Sequence, residues 1–224
     1  MKYLLVALLG LLIGTGLAGT ALYYNPFTVH TGAAPATGDR VLRYTLPDQV
    51  LAAAVGDDAM LAGRSNGVEG LWEETIDRTA VLGLVLTDES GQPAAIASRL
   101  MAASPSTDLL LTGVVLNDYW LVTLPGKGTL FVRSDSNLWP FLKETLLPVW
   151  LFDRPWRGPV EYRPTVGPNA GNTASVLGVT GVFEGKSGSA VERYDVTAFG
   201  TAQNSTAAIG ELFVHLTDEQ VAQQ

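Results

Sequence analysis

Three acidic side chains fall close together at Glu73, Glu74 and Asp77, a grouping in which one carboxyl can serve as a general acid. On a strand Glu73 and Glu74 point to opposite faces, so the group reads as a solvated face with one outlier. Nucleophilic catalysis needs a hydroxyl beside a base. Ser65, Ser98 and Ser187 sit in no Gly-x-Ser-x-Gly elbow, and the two histidines, His30 and His215, lie far apart in the chain. That separation offers no histidine-based metal site or triad, and no acidic run has the spacing of a calcium loop. The chain has no cysteine, which removes thiolate chemistry, disulfide staples and lipoprotein acylation. The run Gly167-Pro168-Asn169-Ala170-Gly171-Asn172-Thr173 lacks a lysine before its threonine and precedes no clear helix, so it reads as a plain loop rather than a phosphate cradle. No metal and no cofactor are expected.

Binding chemistry is more visible. Between 131 and 163 the chain is dense in aromatic and basic side chains, with five basic residues against four acidic ones in an otherwise acidic protein. Trp139, Phe141, Trp150, Phe152 and Trp156 fit a lid over a cavity, an apolar surface for a membrane or partner, or the ordinary core that plugs a barrel end. Arg154, Arg157 and Arg163 pair with nearby acids or hold a ligand carboxylate in bidentate fashion. Trp120, Trp139, Trp150, Trp156, Arg154 and Arg157 are therefore the candidate ligand-binding residues. Asp118, beside Tyr119 and Trp120, reads as a hairpin turn, with a polar group at a pocket mouth as the alternative.

Positioning these groups falls to a strand-rich domain over 41–216. Strands are expected at Val41–Leu46, Leu71–Thr79, Ala80–Leu86, Pro93–Met101, Leu109–Leu116, Tyr119–Leu124, Thr129–Arg133, Ala174–Phe183, Ala190–Phe199 and Ala207–Leu216, many of them joined by short turn sequences such as Asp88-Glu89-Ser90-Gly91 and Pro125-Gly126-Lys127-Gly128. Asp48–Met60 reads as a short helix. A second helix is expected at Asn137–Leu147, capped by Ser136 and stopped before Pro148. Many short strands at near-regular intervals define a mainly β protein, an antiparallel β-barrel or sandwich with one or two short helices. The tail 217–224 is polar and reads as flexible.

Residues 1–24 carry a different signal. After Lys2 comes an uncharged apolar run from Leu4 to Tyr23, about 20 residues, and a helix of that length spans roughly 30 Å of hydrocarbon. It reads as a transmembrane signal anchor with Tyr23, Tyr24 and Phe27 at the interface, placing the domain on the extracytoplasmic side, periplasmic in a Gram-negative cell. Cleavage after a small-residue pair such as Gly19 and Ala21 instead gives a secreted domain. Residues 25–40, rich in Thr, Ala, Pro and Gly, read as a linker. The formal net charge of −8 argues against nucleic acid and against electrostatic attachment to anionic lipid.

The stretch Ser175-Val176-Leu177-Gly178-Val179-Thr180-Gly181-Val182-Phe183-Glu184-Gly185-Lys186-Ser187-Gly188-Ser189-Ala190-Val191 resembles a strand-turn-strand of the allene oxide cyclase and dirigent-like barrels. It has a Thr-Gly, an aromatic and two glycines around the turn. The resemblance is local, around residues 174–200, and covers fewer than 45 residues of the chain. It implies a closed antiparallel barrel with an apolar cavity, Phe183 pointing in and Glu184 out; no residue here matches the cyclase's catalytic positions. Three functions follow as expectations: a membrane-tethered module holding an apolar or amphipathic small molecule, a metal-independent cyclase or isomerase with an acid in the barrel, or a structural subunit with an envelope protein partner. The second requires a buried carboxyl inside the barrel.

Overall fold

The computed structural model describes residues 2–28, 31–36, 40–46, 48–56, 68–71, 79–200 and 206–217. The apolar run forms helix α1, Lys2–Tyr23, 22 residues long and exposed along its length. At 1.5 Å per residue it reaches about 33 Å, enough to cross a bilayer, and a signal sequence has the same character. Glu73, Glu74, Asp77, Ser65 and His30 lie outside the described residues.

Strands β1 (Arg40–Leu46), β2 (Val50–Gly56), β3 (Val68–Leu71), β4 (Thr79–Thr87), β5 (Pro93–Ala103), β6 (Val115–Leu124), β7 (Gly128–Asn137), β8 (Trp156–Tyr162), β9 (Thr165–Gly167), β10 (Ala174–Gly181), β11 (Ser187–Phe199) and β12 (Ala207–Thr217) belong to one sheet. Eight of them run β1-β12-β11-β10-β7-β6-β5-β4, and β1 returns to β4 where Arg43 faces Thr87. The sheet thus closes into an antiparallel barrel, which removes the edges an open sheet would expose. The expectation of a barrel, one or two short helices and an apolar N-terminal helix is met.

Several local expectations are revised. Residues 50–56, expected to be helical, form β2 and pair with β4 from Val50↔Leu84 to Val55↔Ala80. Alanine helix propensity is a weak prior, and here the ladder of the neighbouring strand overrides it. β2 continues the path of β1 along β4, and just before β2 Gln49 bonds back to Thr45, its side-chain Oε1 accepting from Thr45 N and its backbone N–H donating to Thr45 O. Asn117 and Asp118 do not form a turn; they lie inside β6, while residues 108–113 make the turn preceding it. Ser136 ends no helix cap, because it belongs to β7. The helical stretch that follows does not stop before Pro148: it is built from α2 (Trp139–Phe141), a π-helical turn (Leu142–Leu146) and α3 (Leu147–Phe152), and the π-helical turn falls just ahead of Pro148, whose ring removes a backbone donor from the helix.

Strand parity sorts the interior into three layers. Toward one end Leu42, Leu84, Leu86, Ala95, Ala97, Val122, Leu124, Leu130, Val176, Ala190, Leu212 and Val214 pack a dry core. Phe183 is buried with them at the β10–β11 turn and Glu184 faces solvent. A middle layer is polar. At the opposite end β10 gives way to β8 along β11, and β7 pairs with β9, so the wall splays into a mouth beneath the 139–152 helical stretch. The inward residues of β5 record the sequence of layers: Ala95 and Ala97, then Arg99, then Met101.

Outside the barrel, the sheet register sets Glu211 directly between Arg43 and Arg193 on the neighbouring strands. Arg43 Nε approaches Glu211 Oε1 at 2.5 Å, and Arg193 Nη2 donates to Glu211 Oε2. This ladder ties β1, β12 and β11 together at the side where the barrel closes. Within 25–40, read from composition as a linker, Asn25, Thr28 and Gly32 are bonded to the barrel. Asn25 Nδ2 donates to Leu110 O at 2.7 Å, Asn137 Nδ2 to Thr28 O at 2.8 Å, and Gly32 N to Arg163 O at 2.8 Å.

Candidate functional site: a polar layer beneath an apolar mouth

Arg99 occupies an inward position of β5, opposite Trp120 of β6 in register. Its guanidinium lies 4.5 Å from the Trp120 ring, a cation–π contact in a fully desolvated place. Nη1 and Nη2 hold the Glu192 carboxylate in a fork at 3.0 and 2.9 Å, and Nη2 also donates to Asp118 Oδ2 at 2.8 Å. Asp118 Oδ2 accepts a further bond from Ser136 Oγ at 2.5 Å. Tyr44 donates its hydroxyl proton to Glu192 Oε1, and Arg99 Nη1 donates to the Tyr194 hydroxyl. The backbone N–H of Glu192 is fixed by Thr165 Oγ1 at 2.9 Å. Strands β1, β5, β6, β7 and β11 each supply a member.

Burial governs the ionisation of this layer. It opposes the charge of Arg99, but the adjacent Asp118 and Glu192 outweigh it and hold the guanidinium pKa well above its ordinary value. Burial pushes the Glu192 carboxyl above its usual range; Arg99 pulls the other way and Asp118 adds to the rise. Tyr44 and Tyr194 are both raised, burial first, so both hydroxyls stay protonated. One cation thus faces two carboxyls, Asp118 and Glu192. Because the folded pKa of Glu192 lies above the unfolded 4.5, the folded state binds more protons, and stability falls as pH rises from about 4.5 through the folded value. Glu192→Gln is therefore expected to flatten this slope, seen in urea midpoints measured across pH. Equal slopes in the two proteins would contradict the assignment.

Tyr44 reaches Glu192 because Gly210 has no side chain. Gly210 is paired with Tyr44 on one side and Tyr194 on the other, and a Cβ there would collide with the Tyr44 ring. The aromatic ring covers the glycine and completes the wall. Gly210→Ala is expected to cost about 1–3 kcal/mol by overpacking and to push the Tyr44 hydroxyl off the carboxylate. Thermal unfolding checks the first effect, and the second appears as a lower tyrosine titration midpoint.

Above the polar layer lies a cavity of about 280 Å³. Leu46, Leu82, Met101, Leu138, Phe141, Val196 and Phe199 wall it, while Tyr44, Arg99 and Tyr194 make its floor. Glu144, Glu161 and Arg163 stand at its rim, with Glu161 and Arg163 paired at 3.3 Å. Thr145 and Tyr162 are joined at 2.8 Å and pin the helical stretch to β8. The floor is the part sequence reading missed. Its signal was a charged residue at the inward parity of a strand, as in Ala95-x-Ala97-x-Arg99-x-Met101.

Of the six residues singled out by type, Trp120 is buried inside the barrel beneath Arg99. Trp139 starts α2 with its Nε1 buried, and Trp156 starts β8, packed with Val196 and Tyr162. Trp150 is 70% exposed on α3, and Arg154 and Arg157 face solvent. None of the six lines the mouth cavity. Asp118, expected in a turn, is buried at the centre of β6. Ser98 and His215 point outward on β5 and β12, and Ser187 begins β11. Gly167 ends β9 and residues 168–173 form a loop, in keeping with the plain loop expected there. Among the described residues no group of three His, Asp or Glu side chains is placed to hold a metal.

Fold and site together define a class: a closed eight-stranded antiparallel barrel with an ion-paired polar layer under an apolar mouth, joined to an apolar helix long enough to cross a membrane. Comparison with family models and with curated proteins finds no match to the chain.

Proposed function

We propose that the protein is a membrane-anchored barrel module, held on the extracytoplasmic side, that binds a small amphipathic molecule in its mouth. The cavity carries this reading: its walls are apolar, its floor is polar, and the barrel below it is packed solid. At about 280 Å³ it lies near the lower end of the 300–1,000 Å³ typical of ligand pockets, which favours a compact ligand. Arg99 is already matched by two carboxyls, so a further anion would meet repulsion. An uncharged hydroxyl or carbonyl head on Tyr194 and Arg99, with its apolar part between Leu82, Met101 and Phe141, satisfies both halves of the site. Mass spectrometry of an organic extract from the purified full chain tests this. A bound, uncharged amphiphile is expected; an empty protein that also fails to bind a panel of such molecules would sink the idea.

A second reading rests on Glu192. It is a buried carboxyl one hydrogen bond behind the floor, reached through Tyr44, and its ionisation is suppressed. That is the group a metal-independent cyclase or isomerase would use as an acid, the activity implied by the resemblance to allene oxide cyclases. Recovery of the extracted molecule unchanged after incubation with fresh protein separates binding from turnover.

A further inference from the structure

The structure collects a set of apolar side chains around the place where α1 ends. The turn 108–113 is well built: Asp108 Oδ1 accepts from Leu110 N at 2.8 Å, and Thr112 Oγ1 donates to Ser106 O at 2.5 Å. That order holds Leu109, Leu110 and Leu111 outward, and Leu110 is 62% exposed. On α3, Leu147, Trp150 and Leu151 share one helical face at spacings of three and four, with Phe152 beside them, while Val149 is buried toward the barrel. Tyr24 and Phe27 are exposed just beyond α1. Such side chains are expensive to leave in water unless something covers them.

Three contacts place these groups beside the helix end. Asn25 bonds the carbonyl of Leu110 itself. The ammonium of Lys143, in the helical stretch leading into α3, lies 5.7 Å from the Tyr23 ring. Leu138 N donates to Val114 O at 2.8 Å, which joins the leucine turn to the start of the helical stretch. This collar of exposed apolar groups is therefore continuous with the end of α1, and it borders the mouth, since the helical stretch that carries part of it lines the cavity through Leu138, Pro140, Phe141 and Glu144.

We propose that the barrel rests mouth-down on the membrane into which α1 runs, with Leu109–Leu111 and the exposed face of α3 sunk into the boundary between headgroups and acyl chains. The partner is the lipid surface, gripped by apolar insertion. A net charge of −8 gives no general attraction to anionic lipid, so neither added salt nor anionic headgroups strengthens the contact. The cavity then opens at the depth where amphiphiles partition. The orientation itself does not depend on the cavity being filled.

The absence of cysteine permits single-site labelling of the full chain. Leu110→Cys and Leu151→Cys report on the collar, Ser90→Cys on the turn at the far end of the barrel, and Leu12→Cys on α1. Each variant carries an environment-sensitive fluorophore and is reconstituted in phosphatidylcholine vesicles with or without bromine on the acyl chains. Labels at 12, 110 and 151 are expected to lose roughly half or more of their emission to brominated lipid, unchanged in about 1 M salt, with no loss at 90. Water-like emission at 110 and 151 overturns the proposal. So does a blue-shifted emission there that bromine fails to quench, which would mean that a second copy covers the collar. Lack of quenching at 12 overturns it too, because the helix is then not in the bilayer. An unlabelled check uses the native tryptophans: Trp150→Phe is expected to lower the fraction of tryptophan emission that brominated lipid removes, and no change would count against the proposal.

Discussion

Arg99→Met is expected to destabilise the protein by about 3–5 kcal/mol near neutral pH, the range found when one member of a buried ion pair is removed. Methionine keeps much of the stem and still covers Trp120, so little of this loss is packing. Most of it arises because Asp118 and Glu192 remain, both buried and now without a cation. The pH dependence follows. In the variant Glu192 loses the cation that opposes the effect of its burial, so its folded pKa stands further above the unfolded value. The deficit is smallest in acid and grows as pH rises through that interval. Adding Asp118→Asn and Glu192→Gln to Arg99→Met is expected to recover most of the loss, since the charges are then removed together rather than stranded. Glu192→Gln alone leaves Arg99 balanced by Asp118 and has a far smaller effect. Denaturation of the detergent-solubilised chain, followed by circular dichroism at several pH values, checks all four proteins. An Arg99→Met protein as stable as the parent at neutral pH would show that the layer is solvated and does not depend on this cation.

The same charge balance explains what the sequence disclosed and what it hid. Alternation along Pro93–Ala103 and Ala207–Thr217, with glycine-rich turns between strands, made a closed antiparallel sheet legible, because a period of two is a local property. An inward Phe183 and an outward Glu184 follow for a similar reason, because neighbours along a strand alternate faces. Asp118 was misread because Asn-Asp is a turn sequence by local chemistry. Its place in the middle of β6 is made tolerable by Arg99, 19 positions earlier, and by Ser136, 18 later. Glu192 is further still, 93 positions from the arginine that holds it. No window of sequence contains that constellation. Val50–Gly56 misled in the same way, since the three alanines suit a helix in isolation and only β4 makes them a strand. The tryptophans and arginines of 139–157 drew attention by density. Except for Trp120, the residues chosen by type lie on the helical stretch and on β8 or just before it, outside the cavity, and the floor is made by residues that no composition count would select.

The floor and the walls can be separated experimentally at Met101, which lines the cavity one inward position beyond Arg99 on β5. Methionine is a flexible filler there, and a larger rigid ring at that position extends into the cavity rather than into the packed core below. Met101→Trp is expected to displace about 100 Å² of ligand contact, which at about 25 cal/mol per Å² is about 2.5 kcal/mol, or on the order of 70-fold in affinity. Stability should change little, because the dry layer around Leu84, Val122 and Leu130 and the Arg99 ion pairs are untouched. The contrast with Glu192→Gln is informative. That variant leaves the cavity volume unchanged but exchanges an acid for an amide behind Tyr44, so a binding module retains its ligand affinity and an acid-dependent enzyme loses turnover. Titration of the extracted amphiphile into both variants gives the two affinities. If Met101→Trp binds as tightly as the parent, the ligand does not occupy the mouth, and the cavity is not the site.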